Sequence, residues 1–179
     1  EDGMVSYEYT PTAAGTYVIT FKVNDENYTG LDVNASLIVN KIPTATTVEI
    51  LNNIYGNVTI SVTVTDENDD EITQGYIIVT DSEGNVLADA NVSSSDNILI
   101  IPTETTGQLE VIVTYQENDM YQESNDELVI EVSKLSSYIT VGVLPDNVSV
   151  GENITVYGEL YDEYGNCHFI GSQEYTCRC

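Results

Sequence analysis

The sequence repeats itself with a period of about 93 residues, and this repeat constrains the fold more than any other feature. Residues 12–41 return as residues 103–134, with offsets that grow from 91 to 93. Residues 57–67 return as residues 153–163, at an offset of 96. Because both blocks agree in order and spacing, we infer that the chain carries copies of one structural unit.

A unit of this length matches an immunoglobulin-like sandwich, which has roughly 100 residues. The chain is out of phase with its own repeat. Residues 1–41 match the C-terminal half of a unit, 42–134 form one complete unit, and 135–179 match the N-terminal half of a third. The predicted fold is therefore all-β, a tandem array of immunoglobulin-like β-sandwiches.

The complete unit shows the alternation that is typical of half-buried strands. Along residues 60–65, for example, Ile or Val alternates with Ser or Thr. One face of such a strand packs on a core and the other meets water. Asn, Asp and Gly clusters between these segments indicate turns. The predicted strands span about residues 46–51, 57–66, 75–81, 86–92, 97–101, 108–116 and 127–134.

The charge excludes several functions. With 30 Asp and Glu against 4 Lys and Arg, the formal net charge is −26. No basic surface exists to neutralise phosphates, so we expect no nucleic-acid partner and no anionic membrane partner. No apolar run is long enough to predict insertion into a membrane. The acidic residues fall mainly on loops and outward strand positions. We therefore expect a hydrated, negatively charged surface that prevents exposed strand edges from pairing with other chains.

The sequence offers no catalytic constellation. It contains one histidine, His168, and no Ser/His/Asp set, phosphate-binding loop or zinc-protease motif. Carboxylate pairs are so frequent in this chain that no single pair is informative. We therefore predict that the protein is not an enzyme.

The end of the unit resembles the Ig-like repeats of bacterial and archaeal surface proteins. The matching residues are Gly107, Tyr115, Asn118-Asp119, Tyr121, Ser124 and Val132-Ser133-Lys134, followed by Asn153-Ile154-Thr155-Val156 and Asp162-Glu163-Tyr164-Gly165-Asn166. The chain resembles adhesin-like surface proteins of methanogenic archaea over roughly residues 1–166. This resemblance implies an extracellular, surface-anchored stalk of many copies, whose nearest partners are other domains of the same protein. It implies no binding residues.

Six Asn-x-Ser/Thr sequons are candidates for N-glycosylation, which would fit an exported protein. The alternative is that they are turn asparagines beside Thr-rich strands. The six are Asn27, Asn34, Asn57, Asn91, Asn147 and Asn153.

A candidate Ca²⁺ site lies in the first acidic loop, where Asp66, Asn68 and Asp70 alternate as oxygen ligands of Ca²⁺ often do. The rest of an EF-hand is missing, since Glu71 stands where Gly is needed and Ile77 where the bidentate Glu belongs. A solvated hairpin loop is therefore the favoured interpretation. A weak Ca²⁺ site is the only cofactor that we retain, and a second acidic run at residues 116–119 could share it at a domain joint.

The lysines raise the question of an isopeptide cross-link to Asn or Asp. Such chemistry needs a buried amine beside an acid that tunes its pKa. Lys22 alternates with core-type residues and so faces solvent, while Lys41 and Lys134 sit at the joints between units. We expect no cross-link.

The last 13 residues differ from everything before them, since residues 167–179 hold all three cysteines, the only histidine and the only arginine. One interpretation is a zinc site, although the spacing matches no standard Cys-x-x-Cys pair. A second is a third strand, in which Tyr175 and the last two cysteines alternate with polar residues. A third, which we favour, is that the tail does not belong to the repeat. The zinc candidates are Cys167, His168, Cys177 and Cys179.

The expected function is a structural spacer that holds an adhesive or wall-attaching element away from the cell. One alternative is a module that binds a glycan or protein on a host or neighbouring cell. Another is a subunit that polymerises head to tail, because an N-terminal half-unit with late strands could be completed by a C-terminal half-unit with early strands.

Overall fold

The computed structural model describes residues 6–93, 97–144 and 147–168, which form twelve β-strands and no helix. All strands within the sheets pair antiparallel, so the prediction of an all-β chain is confirmed. The chain divides into two compact units, Glu1–Val132 and Ser133–Cys179, which are described separately. The strands are β1 Gly15–Phe21, β2 Val33–Val39, β3 Thr44–Ile54, β4 Gly56–Asp66, β5 Tyr76–Asp81, β6 Val86–Asn91, β7 Asn97–Thr103, β8 Gly107–Tyr115, β9 Ser124–Val132, β10 Ser137–Leu144, β11 Thr155–Asp162 and β12 Cys167–His168.

Strands β3 to β9 form a β-sandwich-like body of two sheets around one core. The first sheet has the order β3-β4-β7 and the second the order β6-β5-β8-β9. Both sheets contribute to a single cluster of buried apolar side chains, because alternate positions along their strands face inward. The fully buried members include Ile60 and Val62 from the first sheet and Ile77, Val113 and Ile130 from the second.

The outer strands β3 and β9 run parallel along one open side of this body, and polar side chains join them. Most of the bonded residues are 78 positions apart in sequence. The Thr46 hydroxyl lies 2.7 Å from that of Ser124, and the Val48 amide donates to the Asp126 carboxylate at 3.1 Å. At the far end the Asn53 side chain donates to a backbone carbonyl of β9 at 2.7 Å. These bonds satisfy strand-edge groups that would otherwise be open for pairing with another chain.

The β1–β2 hairpin belongs to the same compact unit and has a register like that of β8–β9. Gly15 pairs with Val39 at its open end, as Gly107 pairs with Val132 in the sandwich. Within the part of the chain that the structure describes, no second sheet covers its apolar face. Side chains that would face a core remain substantially exposed, among them Ile19, Phe21 and Leu37.

The second unit contains the sheet β10-β11-β12. Ser137 pairs with Asp162 at one end of β10–β11 and Val143 with Val156 near the other. One face carries Ile and Val side chains, including Ile139 and Val141, and both are exposed. Among the described residues of this unit, no covering layer lies on that apolar face either.

Three turns have the same hydrogen-bond pattern, in which an aspartate caps the five-residue segment that it opens. The first residue of each segment is Asp66, Asp81 or Asp162, and its Oδ1 accepts the backbone N–H groups two and four residues later, at 2.8 to 3.1 Å. The fourth residue has positive φ in every case, which favours glycine. Gly84 and Gly165 meet that requirement, whereas Asp69 adopts it at φ 64°.

Candidate functional site

Several hydrogen bonds organise the joint between the β1–β2 hairpin and the sandwich in the first unit. The backbone of Ile42 donates to the Met120 carbonyl at 2.8 Å and accepts from the Gln122 amide at 2.9 Å. These two bonds make an isolated parallel bridge between Ile42 and Tyr121. The short segment 40–43 is thereby held against the β8–β9 loop, which prevents it from acting as a free hinge.

Asn118 organises the loop side of the joint. Its Oδ1 accepts the backbone N–H groups of Met120 and Tyr121, each at 2.9 Å, and its Nδ2 donates to the Tyr115 hydroxyl at 2.9 Å. That hydroxyl donates in turn to the Gln74 carbonyl at 3.1 Å. Burial raises the pKa of Tyr115, so the phenol stays neutral and keeps donating. The loop is therefore anchored to the core from within.

Two further contacts tie the chain before β3 to this loop. Lys41 Nζ donates to Glu117 Oε2 at 2.7 Å, and the ammonium group lowers the pKa of Glu117. Ala14, in the segment that leads into β1, donates its amide to the Asp119 carbonyl at 2.8 Å. Both the hairpin and the linker are therefore bonded to the loop 117–121.

This geometry places the second acidic run of the sequence in a structural role. Glu117 pairs with Lys41, and the Asp119 carbonyl is bonded to Ala14. In the first acidic loop, Asp66 Oδ1 is occupied by the amides of Asn68 and Asp70. Among the described residues, no three His, Cys, Asp or Glu side chains converge as a metal site would require. The Ca²⁺ site at Asp66, Asn68 and Asp70 stays a prediction.

The candidate modification sites lie on the surface. All six sequon asparagines are exposed, which glycosylation requires but does not establish. Lys22 forms an exposed ion pair with Asp32 at 3.0 Å, and Lys41 and Lys134 are not buried either. None of these three lysines has the buried environment that an isopeptide cross-link needs.

The structure brings only part of the cysteine-rich tail into view. Cys167 is exposed on β12, forms no disulfide with a described residue, and pairs through its backbone with Tyr161 of β11. The backbone of His168 pairs with Leu160. Residues 169–179, which include Cys177, Cys179 and the predicted strand around Tyr175, lie outside the described residues, so the zinc site stays a prediction.

Comparisons with known proteins identify no family. No family model and no curated protein matches the chain. Among solved structures, the chain is similar to a β-D-glucuronidase of Dictyoglomus thermophilum, with 13% sequence identity and a TM-score of 0.31. That match covers 78% of this chain and 25% of the other, so the chain spans about a quarter of the enzyme's length. Within the part that the structure describes, no helix has the length and apolar character to cross a membrane.

Sequence reasoning missed the bonds across the open side of the sandwich and the anchoring role of Asn118. No local signal marks the β3–β9 contacts, because they join residues 78 positions apart. A signal for the shared turn did exist: in two of its three copies an Asp is followed three and four residues later by Gly and Asn. The third copy, at Asp66, lacks this signal because Asp69 and Asp70 stand at those two positions.

Proposed function

We propose that the chain is a spacer segment of a tandem immunoglobulin-like surface protein and that its work is mechanical. The observation that carries this proposal is the parallel placement of β3 and β9, the first and last strands of the sandwich. Two parallel strands bring the chain in at one end of the body and let it leave at the other. Each unit then adds the length of a nine-residue strand, about 30 Å.

The strand order supports the immunoglobulin-like interpretation. Seven strands in sheets of three and four, with the chain crossing between sheets after β4, β6 and β7, fit that class of sandwich. Strand β6 pairs with β5 rather than with β7, so the four-stranded sheet is the one that contains β9. The matching registers of β1–β2 with β8–β9 support the repeat.

The joint supports a semi-rigid rod. A linker of four residues, held by the bonds of Ile42, Lys41 and Ala14, restricts the angle between a hairpin and the sandwich that follows. A repeated joint of this kind would hold an attached element at a defined distance from its anchor.

Force spectroscopy on the 179-residue chain, pulled by its two ends, tests the mechanical role. Tension on parallel terminal strands loads the β3–β9 bonds together. We expect one distinct event that releases about 300 Å of chain, from the roughly 90 residues between Ile42 and Val132. The double variant Thr46→Ala/Asp126→Ala should lower the force, and Thr47→Ala, on the outward face of β3, should not. Gradual extension without a distinct event would contradict the proposal.

An extracellular location is the second part of the proposal. It is supported by the resemblance to surface repeats, by six exposed sequons and by the acidic outer surface. Intact-mass measurement on material from the native cell tests it. Added glycan mass at the sequons would support export, and a mass equal to the polypeptide alone would remove the glycosylation argument.

Head-to-tail association is a second candidate function, which the two uncovered faces favour. The exposed apolar face of β1–β2 corresponds to the face of β8–β9 that the first sheet covers in the sandwich. The exposed apolar face of β10–β11 corresponds to that of β3–β4. One copy could therefore cover another. Light scattering across a wide concentration range should show growth in mass, and a constant monomer mass would exclude this function.

A further inference from the structure

Three tyrosines line one face of the β10–β11 hairpin, and nothing in the repeat requires them there. Tyr138 and Tyr161 are directly paired across the two strands, and Tyr157 is paired with Gly142 further along. Cross-strand partners project from the same side of a sheet, and residues two apart in a strand do so as well. Tyr138, Tyr157 and Tyr161 therefore form one surface, here called the tyrosine face.

The tyrosine face lies opposite the apolar face of the same hairpin. The residues between the tyrosines, such as Ile139 and Leu160, point to the other side and correspond to core positions of the sandwich. At the positions of the tyrosines, the complete unit has Ala45, Ser61 and Thr65, at offsets of 93, 96 and 96. The repeat thus tolerates small side chains at these positions, and the aromatic rings are a departure specific to this copy.

The rings are held in fixed positions. Tyr138 and Tyr161 stack with ring centroids 5.4 Å apart and planes inclined by 15°. The ring of Tyr157 lies over Gly142, where a Cβ atom would collide with it. Glycine at this position lets the ring lie close to the strand, as in aromatic cover of sheet glycines. The outcome is an aromatic surface that is still about half exposed at Tyr138 and Tyr157.

One carboxylate stands among the rings. Glu159 lies between Tyr157 and Tyr161 on β11, and its Oε2 accepts the Tyr161 hydroxyl at 2.6 Å. A carboxylate has further acceptor positions on its two oxygens. The tyrosine face therefore combines flat π surfaces with a charged acceptor that holds one ring in place and has capacity left for a ligand hydroxyl.

The aromatic rings and the carboxylate of the tyrosine face favour some classes of ligand over others. The faces of aromatic rings carry partial negative charge and attract the weakly positive C–H groups of a pyranose ring, whose hydroxyls can donate to a carboxylate. Tyr157 and Tyr161 are four residues apart, about 13 Å along the strand, so the surface exceeds one sugar ring. The net charge of −26 opposes an anionic glycan. Rings that all project from one open sheet face do not enclose a cation as an aromatic cage does.

We propose that the tyrosine face binds neutral glycans through pyranose stacking on Tyr138, Tyr157 and Tyr161, with Glu159 accepting a sugar hydroxyl. This inference goes beyond the spacer role, because it gives the chain an adhesive site of its own. It concerns residues 137–162, whereas the force experiment reports on residues 42–132. Either proposal can therefore fail while the other holds.

Affinity electrophoresis of the full 179-residue chain in native gels tests the proposal. The gels contain one neutral polysaccharide each: hydroxyethylcellulose, galactomannan or glycogen. We expect at least one of them to retard the chain relative to a gel without polysaccharide. The triple variant Tyr138→Ala/Tyr157→Ser/Tyr161→Thr, which restores the side chains of the complete unit, should bind at least about tenfold more weakly.

Matched variants separate loss of the site from loss of the fold. Tyr55→Ser removes an exposed tyrosine from the turn between β3 and β4 and should leave the retardation unchanged. The triple Tyr→Phe variant keeps the stacking surfaces and should retain binding within about threefold. Far-ultraviolet circular dichroism checks that each variant keeps its strands. Glu159→Gln, which keeps a weaker acceptor, should weaken binding several-fold.

Three outcomes would overturn the proposal. The first is that none of the three polysaccharides retards the chain. The second is that the triple variant restoring the repeat residues is retarded as strongly as the unaltered chain. The third is that the triple Tyr→Phe variant, with its strands intact, loses all binding, since stacking would then not be the source of affinity.

Discussion

The sandwich and the two hairpins share the same alternation of apolar and polar residues, but the apolar side chains are buried only in the sandwich. Ile130 in β9 is 0% exposed, while Leu37, at the matching register position in β2, is 40% exposed. Val113 in β8 is 0% exposed, and Phe21 in β1 is 55% exposed. Alternation therefore determines which face a side chain takes, but only a second sheet turns that face into a core.

The turns, unlike the burial of the apolar faces, are the same in the sandwich and in the second unit. The capped turn that begins at Asp162 in the second unit has the same hydrogen bonds as the turns at Asp66 and Asp81 in the sandwich. A carboxylate that bonds amides two and four residues away needs no distant partner. The comparison separates two levels of structure: turn geometry is encoded locally, and burial depends on residues far along the chain.

The largest test of this comparison is a matched pair of core substitutions. Ile130→Ala removes fully buried atoms and should destabilise the sandwich by about 2–5 kcal/mol. Leu37→Ala, at the equivalent position of β2, should cost less than about 1 kcal/mol because that side chain already meets water. Urea unfolding followed by circular dichroism measures both.

Two results would break the comparison. Equal destabilisation by the two substitutions would mean that the face of β1–β2 is covered in solution, as head-to-tail association requires. Repeating the Leu37→Ala measurement at several protein concentrations shows whether another copy covers that face, since association makes the destabilisation depend on concentration. A small effect of Ile130→Ala would mean that β9 does not contribute to the core.

We expect a smaller loss of stability when the polar contacts between β3 and β9 of the sandwich are removed. Thr46→Ala removes the hydroxyl that lies 2.7 Å from Ser124 Oγ in a largely buried position, and should cost about 1 kcal/mol. Its neighbour Thr47 faces outward and is exposed, so Thr47→Ala should change stability by less than about 0.5 kcal/mol. Urea unfolding of both variants checks this. Equal effects would show that the contact is not a stabilising one.

The strands of the sandwich could be predicted from the sequence because each has a strong local signal. The strand predicted at residues 57–66 is observed at Gly56–Asp66, and the one predicted at 108–116 is observed at Gly107–Tyr115. β3 extends further at both ends than the prediction of 46–51. Its partner β4 is long, and an irregular register between Ile50 and Asn52 lets the pairing continue past Leu51.

The surfaces proposed as functional could not be predicted in the same way. The role of Asn118 depends on Tyr115 and on backbone amides that only the folded loop brings together. The tyrosine face depends on the register of β10 with β11, because Tyr138 and Tyr161 are 23 positions apart in sequence. A one-residue slip would move Tyr138 to the other face.

The smallest expected effect is on the ionisation of tyrosine. Each unit has a tyrosine whose hydroxyl donates to a carboxylate in an exposed hydrogen bond, so the pKa values of these two tyrosines can be compared. In the sandwich the Tyr76 hydroxyl donates to Asp89, and this bond raises the pKa of Tyr76. In the second unit the bond to Glu159 and its negative charge raise the pKa of Tyr161 from 10.0 to about 12. The neutral phenol is thus favoured in the folded state. The contribution to stability is present below pH 10 and is lost as the pH rises from 10 to 12.

Alkaline titration of tyrosinate absorbance measures this difference, and the absence of tryptophan simplifies the spectrum. Tyr161→Phe should remove signal from the most alkaline end of the curve, near pH 12. Glu159→Gln should keep the number of tyrosines but move that signal toward lower pH, because the acceptor no longer carries a charge. An unchanged alkaline end in both variants would show that Glu159 does not hold Tyr161 in solution. The fixed ring positions on which the tyrosine face depends would then lose one of their supports.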